Sequence, residues 1–94
     1  MNNSTTKRFR ELERIIKGAA NHRRIQILEL LTRRPELSVT EISNELGVNF
    51  KTISEHIRRL AIAGLVTKRN ENATVRHRLS PRGTFILKFL RTLE

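Results

Sequence analysis

Apolar side chains recur at spacings of three and four residues along most of the chain, the period of a helix with one buried face. Phe9, Leu12, Ile15, Ile16 and Ala19 form the first stripe and predict a helix over residues 5–19 whose other face is basic. Gly18 weakens that helix near its end, and Asn21 is placed to cap a second one bearing Ile27, Leu28 and Leu31, which Pro35 closes. Ser38-Val39-Thr40-Glu41 reads as a capping box, in which hydroxyl and carboxylate each accept from the other residue's backbone, with Leu37 and Ile42 at the flanking staple positions. A short third helix to about Leu46 follows from it. Gly47 then suits a left-handed turn, and Asn49 caps a fourth helix whose staple pair is Val48 and Ile53. Together these signals predict a helix-turn-helix.

Gly64 ends the fourth helix, and the stretch LVTKRNENATVRHRL holds two β-favouring runs around an Asn-rich centre. It predicts a hairpin from about Leu65 to Leu79, with no glycine at the turn. Ser80-Pro81 opens a last helix over residues 81–93, carrying Phe85, Ile86, Phe89, Leu90 and Leu93. The fold expected is mainly α with a small β-hairpin, ordered as four helices, two strands and one helix, in a single domain spanning residues 1–94.

The fourth helix has two sides. With Ile53 at zero and roughly 100° per residue, Ile57, Leu60, His56 and Phe50 fall within about 60° of it and form the expected buried side. Ser54, Arg58, Lys51, Glu55 and Arg59 lie opposite, an outward strip of three cations, one carboxylate and a hydroxyl.

Charge gives that strip a direction. Nineteen Lys and Arg oppose nine acidic groups, all Glu, for a formal net charge of +10, and a pI near 11.6 predicts attraction to a polyanion, nucleic acid foremost. The absence of Cys removes disulfides and thiolate metal sites. With no Cys, Asp or Tyr, a Ser-His-Glu set would have to draw on residues that already serve as caps or helix positions, and the four glycines are too scattered to cradle a phosphate. Neither enzymatic activity nor a cofactor is expected. His22 and His77 lack metal-ligand spacing, so no metal is expected either. No apolar run approaches the roughly 18 residues of a membrane span, and the stretch MNNSTTKRFR lacks a signal-peptide core. A cytoplasmic location without membrane association is the expectation.

The order of elements is that of a winged helix-turn-helix, and the residues go further. ANHRRIQILELL, from Ala20 to Leu31, resembles the second-helix motif of ArsR-type repressors, with Arg24, Ile27 and Leu28 matching and His22 where that family often has proline. LSVTEISNELGVNFKTISEHIRRLAIAGLV resembles the family's helix-turn-helix: Ser54, His56, Leu60, Gly64, Leu65 and Val66 match as written, Ile53 and Ile57 are close replacements, and Asn49 replaces a serine cap. The resemblance covers about residues 10–80 and implies a homodimeric transcriptional regulator whose fourth helix enters the major groove of double-stranded DNA. It also sets limits. The family's metal sensors use Cys pairs or Asp/His sets that this chain lacks, and Arg76-His77 stands where the family often has two tyrosines.

On this reading Lys51, Ser54 and Arg58 face bases or nearby phosphates, Glu55 can accept from a cytosine amino group, and Asn49, Thr52 and Arg59 flank them. Lys68, Arg69, Asn70 and Arg76, with Asn72, supply the hairpin's phosphate or minor-groove contacts. His56 is either a histidine at the edge of the core or a phosphate contact, and any single exposed cation can equally be a solvated surface charge. Phe85, Ile86, Phe89, Leu90 and Leu93 of the last helix exceed what a small core can hide and predict a partner surface, Phe9, Leu12 and Ile16 give the first helix a comparable stripe, and the resemblance implies a two-fold dimer through these terminal helices, the alternative being that both pack within one subunit. Such a dimer would act as a repressor reading an inverted repeat. A non-specific architectural DNA-binding protein and a winged-helix protein-interaction module are the competing functions.

Overall fold

The computed structural model describes residues 3–94, so Met1 and Asn2 of the expected domain lie outside the described residues. The elements run α1 (Asn3–Ala19), α2 (His22–Arg33), α3 (Val39–Leu46), α4 (Phe50–Ile62), β1 (Val66–Glu71), β2 (Thr74–Leu79) and α5 (Pro81–Arg91). This is a winged helix-turn-helix, with the two antiparallel strands as its wing.

Each cap works as its residue type dictates. Asn21 accepts from the amides of Arg23 and Arg24, Asn49 from Thr52, and Ser80 from Gly83, while Ser38 and Glu41 complete a reciprocal capping box. Gly47 sits at φ 65°, in the left-handed region that costs a glycine least, and so lets α4 leave α3 at a sharp angle. Gly18 is a contact rather than a flaw: a β-carbon there would collide with the side chain of Ala63, so its absence lets α1 lie against the end of α4.

The core forms where α2, α3 and α4 converge, around Ile27, Leu28, Leu30, Leu31, Ile42, Ile53, Ile57 and Leu60, and it extends to Leu65 and Val66 at the root of the wing. The buried Ile53, Ile57 and Leu60 each contribute about 1.5–3 kcal/mol and fix which face of α4 is left outside.

The wing closes through a tight turn at Asn72, whose φ of 57° supplies the left-handed backbone that the missing glycine would have given. At the wing's root the isolated bridge between Leu37 and His77 ties it to the segment before α3. His77 is 2% exposed, and its Nδ1 lies 2.9 Å from the Leu37 carbonyl. Burial pushes its imidazole below the ordinary histidine range, and the hydrogen bond to Leu37 opposes that shift only in part.

The sign follows from linkage. The unfolded chain takes up a proton below about pH 6.5, which the folded state resists, so stability is full above that pH and declines as pH falls toward the lowered folded value. The melting temperature should therefore drop as pH is taken from 7.5 to 5, above the carboxylate range, and His77→Phe should flatten that slope. An unchanged slope in the variant would remove His77 as its source.

Candidate nucleic-acid interface

With its apolar side buried, α4 presents Lys51, Thr52, Glu55, Arg58 and Arg59 to solvent, with Ser54 and His56 half-buried beside them. Glu55 organises the strip. Its carboxylate accepts from Arg58 Nε at 2.9 Å and Nη2 at 2.8 Å, and from Arg59 Nε at 3.0 Å. The hydrogen bonds from the two guanidinium groups, Arg58 first, lower the Glu55 carboxyl to about 2, and Arg58 is raised in turn. Glu55 thus stays ionised and steers both arginines, so a cytosine amino group would have to compete for it. Lys51 has no carboxylate partner among the described residues and stands in the first turn of α4, which carries no acidic residue.

The strand register sorts the wing into two faces. Thr67, Arg69, Glu71, Thr74, Arg76 and Arg78 share one, and Val66, Lys68, Asn70, Val75, His77 and Leu79 the other. On the first face the arginines are tied down. Arg69 reaches Glu36 at 2.8 Å and Glu71 at 3.2 Å, Arg78 reaches Glu36 at 3.3 Å, and Arg76 holds the capping-box carboxylate of Glu41 at 2.6 Å. Glu41 is held below the ordinary carboxylate range, chiefly by the backbone and hydroxyl of Ser38, against an opposing effect of burial, with Arg76 contributing last. Arg76, expected among the DNA contacts, is paired with Glu41 and braces the wing against α3. Lys68 and Asn70 are exposed, and Lys68 has no carboxylate partner among the described residues.

Three other placements differ from expectation. Phe50, assigned to the buried side of α4, is 55% exposed, because it stands at the first residue of the helix, beyond the end of the core beneath it. Ser54 is half-buried rather than fully outward. Ile86 is 8% exposed and packed in its own subunit's core, so it leaves the exposed terminal-helix face, and Leu90 packs partly against the same core. Phe9, Leu12, Ile16, Phe85, Phe89 and Leu93 all remain exposed.

His56 sits at the core's edge, where burial first and the nearby Arg24 charge second lower its imidazole and favour the neutral ring. Among the described residues, no group of three or more His or Glu side chains could hold a metal ion. His77 is engaged with Leu37. No helix of the described chain is long and apolar enough to cross a membrane.

Sequence reasoning missed two features. Glu36, in a left-handed conformation at φ 70°, is the acceptor for two wing arginines. Arg10, Arg14, Lys17, Arg24 and Arg59 line a basic depression between α1, α2 and α4, with the Arg24 Nε buried and unpaired among the described residues. Both depend on contacts between distant segments, which no local pattern announces.

Comparison with known proteins adds the lineage. Residues 21–68 match the model of the bacterial regulatory protein arsR family. The chain is 36% identical over 70 residues to an HTH-type transcriptional regulator of Mycobacterium tuberculosis, covering 74% of this chain and 30% of that protein. A homodimeric winged helix-turn-helix DNA-binding domain from Mycobacterium bovis, described as a possible ArsR-family transcriptional regulator, superposes with a TM-score of 0.89 at 26% identity, over 99% of this chain and 86% of the other. Reduced HlyU from Vibrio cholerae gives 0.79 at 33% identity, over 98% and 97%. The matched region spans less than half the length of the curated relatives, 30% of one and 49% of another. With the capped helix-turn-helix, the braced wing and these matches together, the chain belongs to the arsR family of bacterial regulatory proteins.

Proposed function

We propose that this chain is a sequence-specific, double-stranded DNA-binding domain of a cytoplasmic transcriptional regulator, which works as a homodimeric repressor by reading an inverted repeat with α4. The single observation that carries this reading is the face of α4 left outside the core, where Lys51, Arg58 and Arg59 stand exposed on a helix whose opposite side is locked by Ile53, Ile57 and Leu60. A major groove admits one such helix and offers its base edges to it. Lys51 and Arg58 then contact bases, Ser54, Thr52 and Asn49 contact nearby phosphates or base edges, and Lys68 and Asn70 extend the contact along the backbone. Arg69 and Arg76 hold the wing in place through Glu36, Glu71 and Glu41. The role is binding rather than catalysis.

The exposed apolar rows, Phe9, Leu12 and Ile16 on α1 and Phe85 and Phe89 on α5 with Leu93 just beyond it, support a dimer through the terminal helices. The M. bovis neighbour is homodimeric. A two-fold dimer would set two α4 helices on successive major grooves, about 34 Å apart, over an inverted repeat.

Electrostatics tests the reading. Eight cations and two carboxylates lie between Phe50 and Arg82, a surplus of six per subunit. If the dimer neutralises about 6–10 phosphates, affinity for duplex DNA should fall by roughly 10³–10⁵ between 50 and 200 mM salt. Fluorescence-anisotropy titrations on a duplex selected from a random pool, and on random duplex, would measure this. Specific and random affinities that stay equal would favour the architectural reading, and no binding at low salt would favour a protein-interaction module.

A further inference from the structure

We infer that Phe50 is a base-reading residue that recognises the C5-methyl group of thymine. This inference deepens the proposed DNA-binding function and rests on it.

Phe50 opens α4 directly after the Asn49 cap, and it is 55% exposed, whereas Ile53, Ile57 and Leu60 are buried and the helix's other exposed large apolar residue, Ile62, stands at its opposite end. At four-residue spacing it heads a row with Ser54 and Arg58, so it shares the outward flank of α4 with the arginine proposed to face the bases. Its surroundings are selective. An open groove of about 450 Å³ lies between Phe50, Ser38, Val39 and Thr40 around the start of α3, and Ala73, Thr74 and Val75 of the wing; no charged side chain lines it, and Phe50, Val39, Ala73 and Val75 make up its apolar part. Val75 is likewise exposed. The basic stretch from Phe50 to Arg82 thus carries an apolar patch at the N-terminal end of α4.

That combination limits the occupant. The phosphate backbone is anionic and gains nothing from the exposed phenyl ring of Phe50 or the side chain of Val75. The major-groove edges of G, C and A present only polar donors and acceptors, whereas thymine adds a methyl group that apolar side chains contact. The patch is continuous with the α4 face proposed to enter the groove, so a thymine methyl is the one group on B-DNA that matches both its chemistry and its place.

The test begins with the unaltered protein. Wild-type dimer is titrated against a duplex selected from a random pool, and each thymine is replaced in turn by uracil, which lacks only the methyl. Replacement of the contacted thymine in one half-site should weaken binding about fourfold, the free energy of burying one methyl, and about fifteenfold when both half-sites are changed.

Phe50→Ala should keep the wild-type melting temperature and dimer, bind the thymine and uracil duplexes equally, and so lose the discrimination. A specific duplex indifferent to every uracil replacement would overturn the assignment while leaving the DNA-binding function standing. Discrimination that survives Phe50→Ala would also overturn it, as would a change of oligomeric state in that variant. Failure to select any duplex would overturn both readings.

Discussion

Phe89→Glu is expected to leave the subunit folded and monomeric, and to lower affinity for the selected duplex by about 10²–10⁴, the factor lost when two linked half-site contacts become one. Phe89 is 49% exposed between Phe85 on α5 and Leu93 just beyond the helix's end. A carboxylate at that point costs the isolated subunit little, since it faces water, but it must be stripped of water without a partner if the apolar row is covered by a second copy. The neighbouring positions make worse probes. Ile86 is buried and Leu90 packs partly on the core, so a charge at either would damage the fold and the interface together. Sedimentation at micromolar concentration, with a thermal melt as control, separates the two effects. A dimer that persists in Phe89→Glu would reject the terminal-helix interface.

The second large effect falls on Lys51 and Arg58. A good side-chain contact to a base edge discriminates by about 1–3 kcal/mol, so removing both should cost the selected duplex about 2–6 kcal/mol of affinity relative to random sequence. Their environments differ. Lys51 has no carboxylate partner among the described residues, whereas Arg58 is held by Glu55 through two hydrogen bonds at 2.8 and 2.9 Å. That pair is exposed and adds little stability. Its effect is to orient the guanidinium, and because the Glu55 carboxyl is lowered to about 2, the orientation persists throughout the neutral range. Truncating Lys51 and Arg58 should therefore leave the fold intact and act on recognition alone.

Local rules carried most of the fold. Asn21, Ser38, Asn49 and Ser80 cap their helices because a short polar side chain beside a helical run has one favourable use, and the period of the apolar residues marked the buried sides of α2 and α4. Two kinds of error have physical causes. A helical wheel has no ends, so it assigned Phe50 to the core by angle although the core stops short of the first turn of α4. It also could not show that Gly18 is needed for contact with Ala63, or that Ile86 turns inward, since both depend on which helix packs where. The interface was legible as a set of cations and not as a network. Charge counting treats Arg69, Arg76 and Lys68 alike, whereas the fold gives the two arginines to Glu36, Glu71 and Glu41 across up to 35 residues of sequence and leaves Lys68 exposed without such a partner.

The account depends on the exposed face of α4 reading base edges. Comparing wild type with Lys51→Ala/Arg58→Ala, on the selected and the random duplex at one salt concentration, tests this most directly. The account predicts a wild-type preference for the selected duplex of at least 10³, which the double variant reduces by about 30-fold or more while its affinity for random duplex falls far less. Equal losses on the two duplexes, or a preference that survives both substitutions, would contradict it.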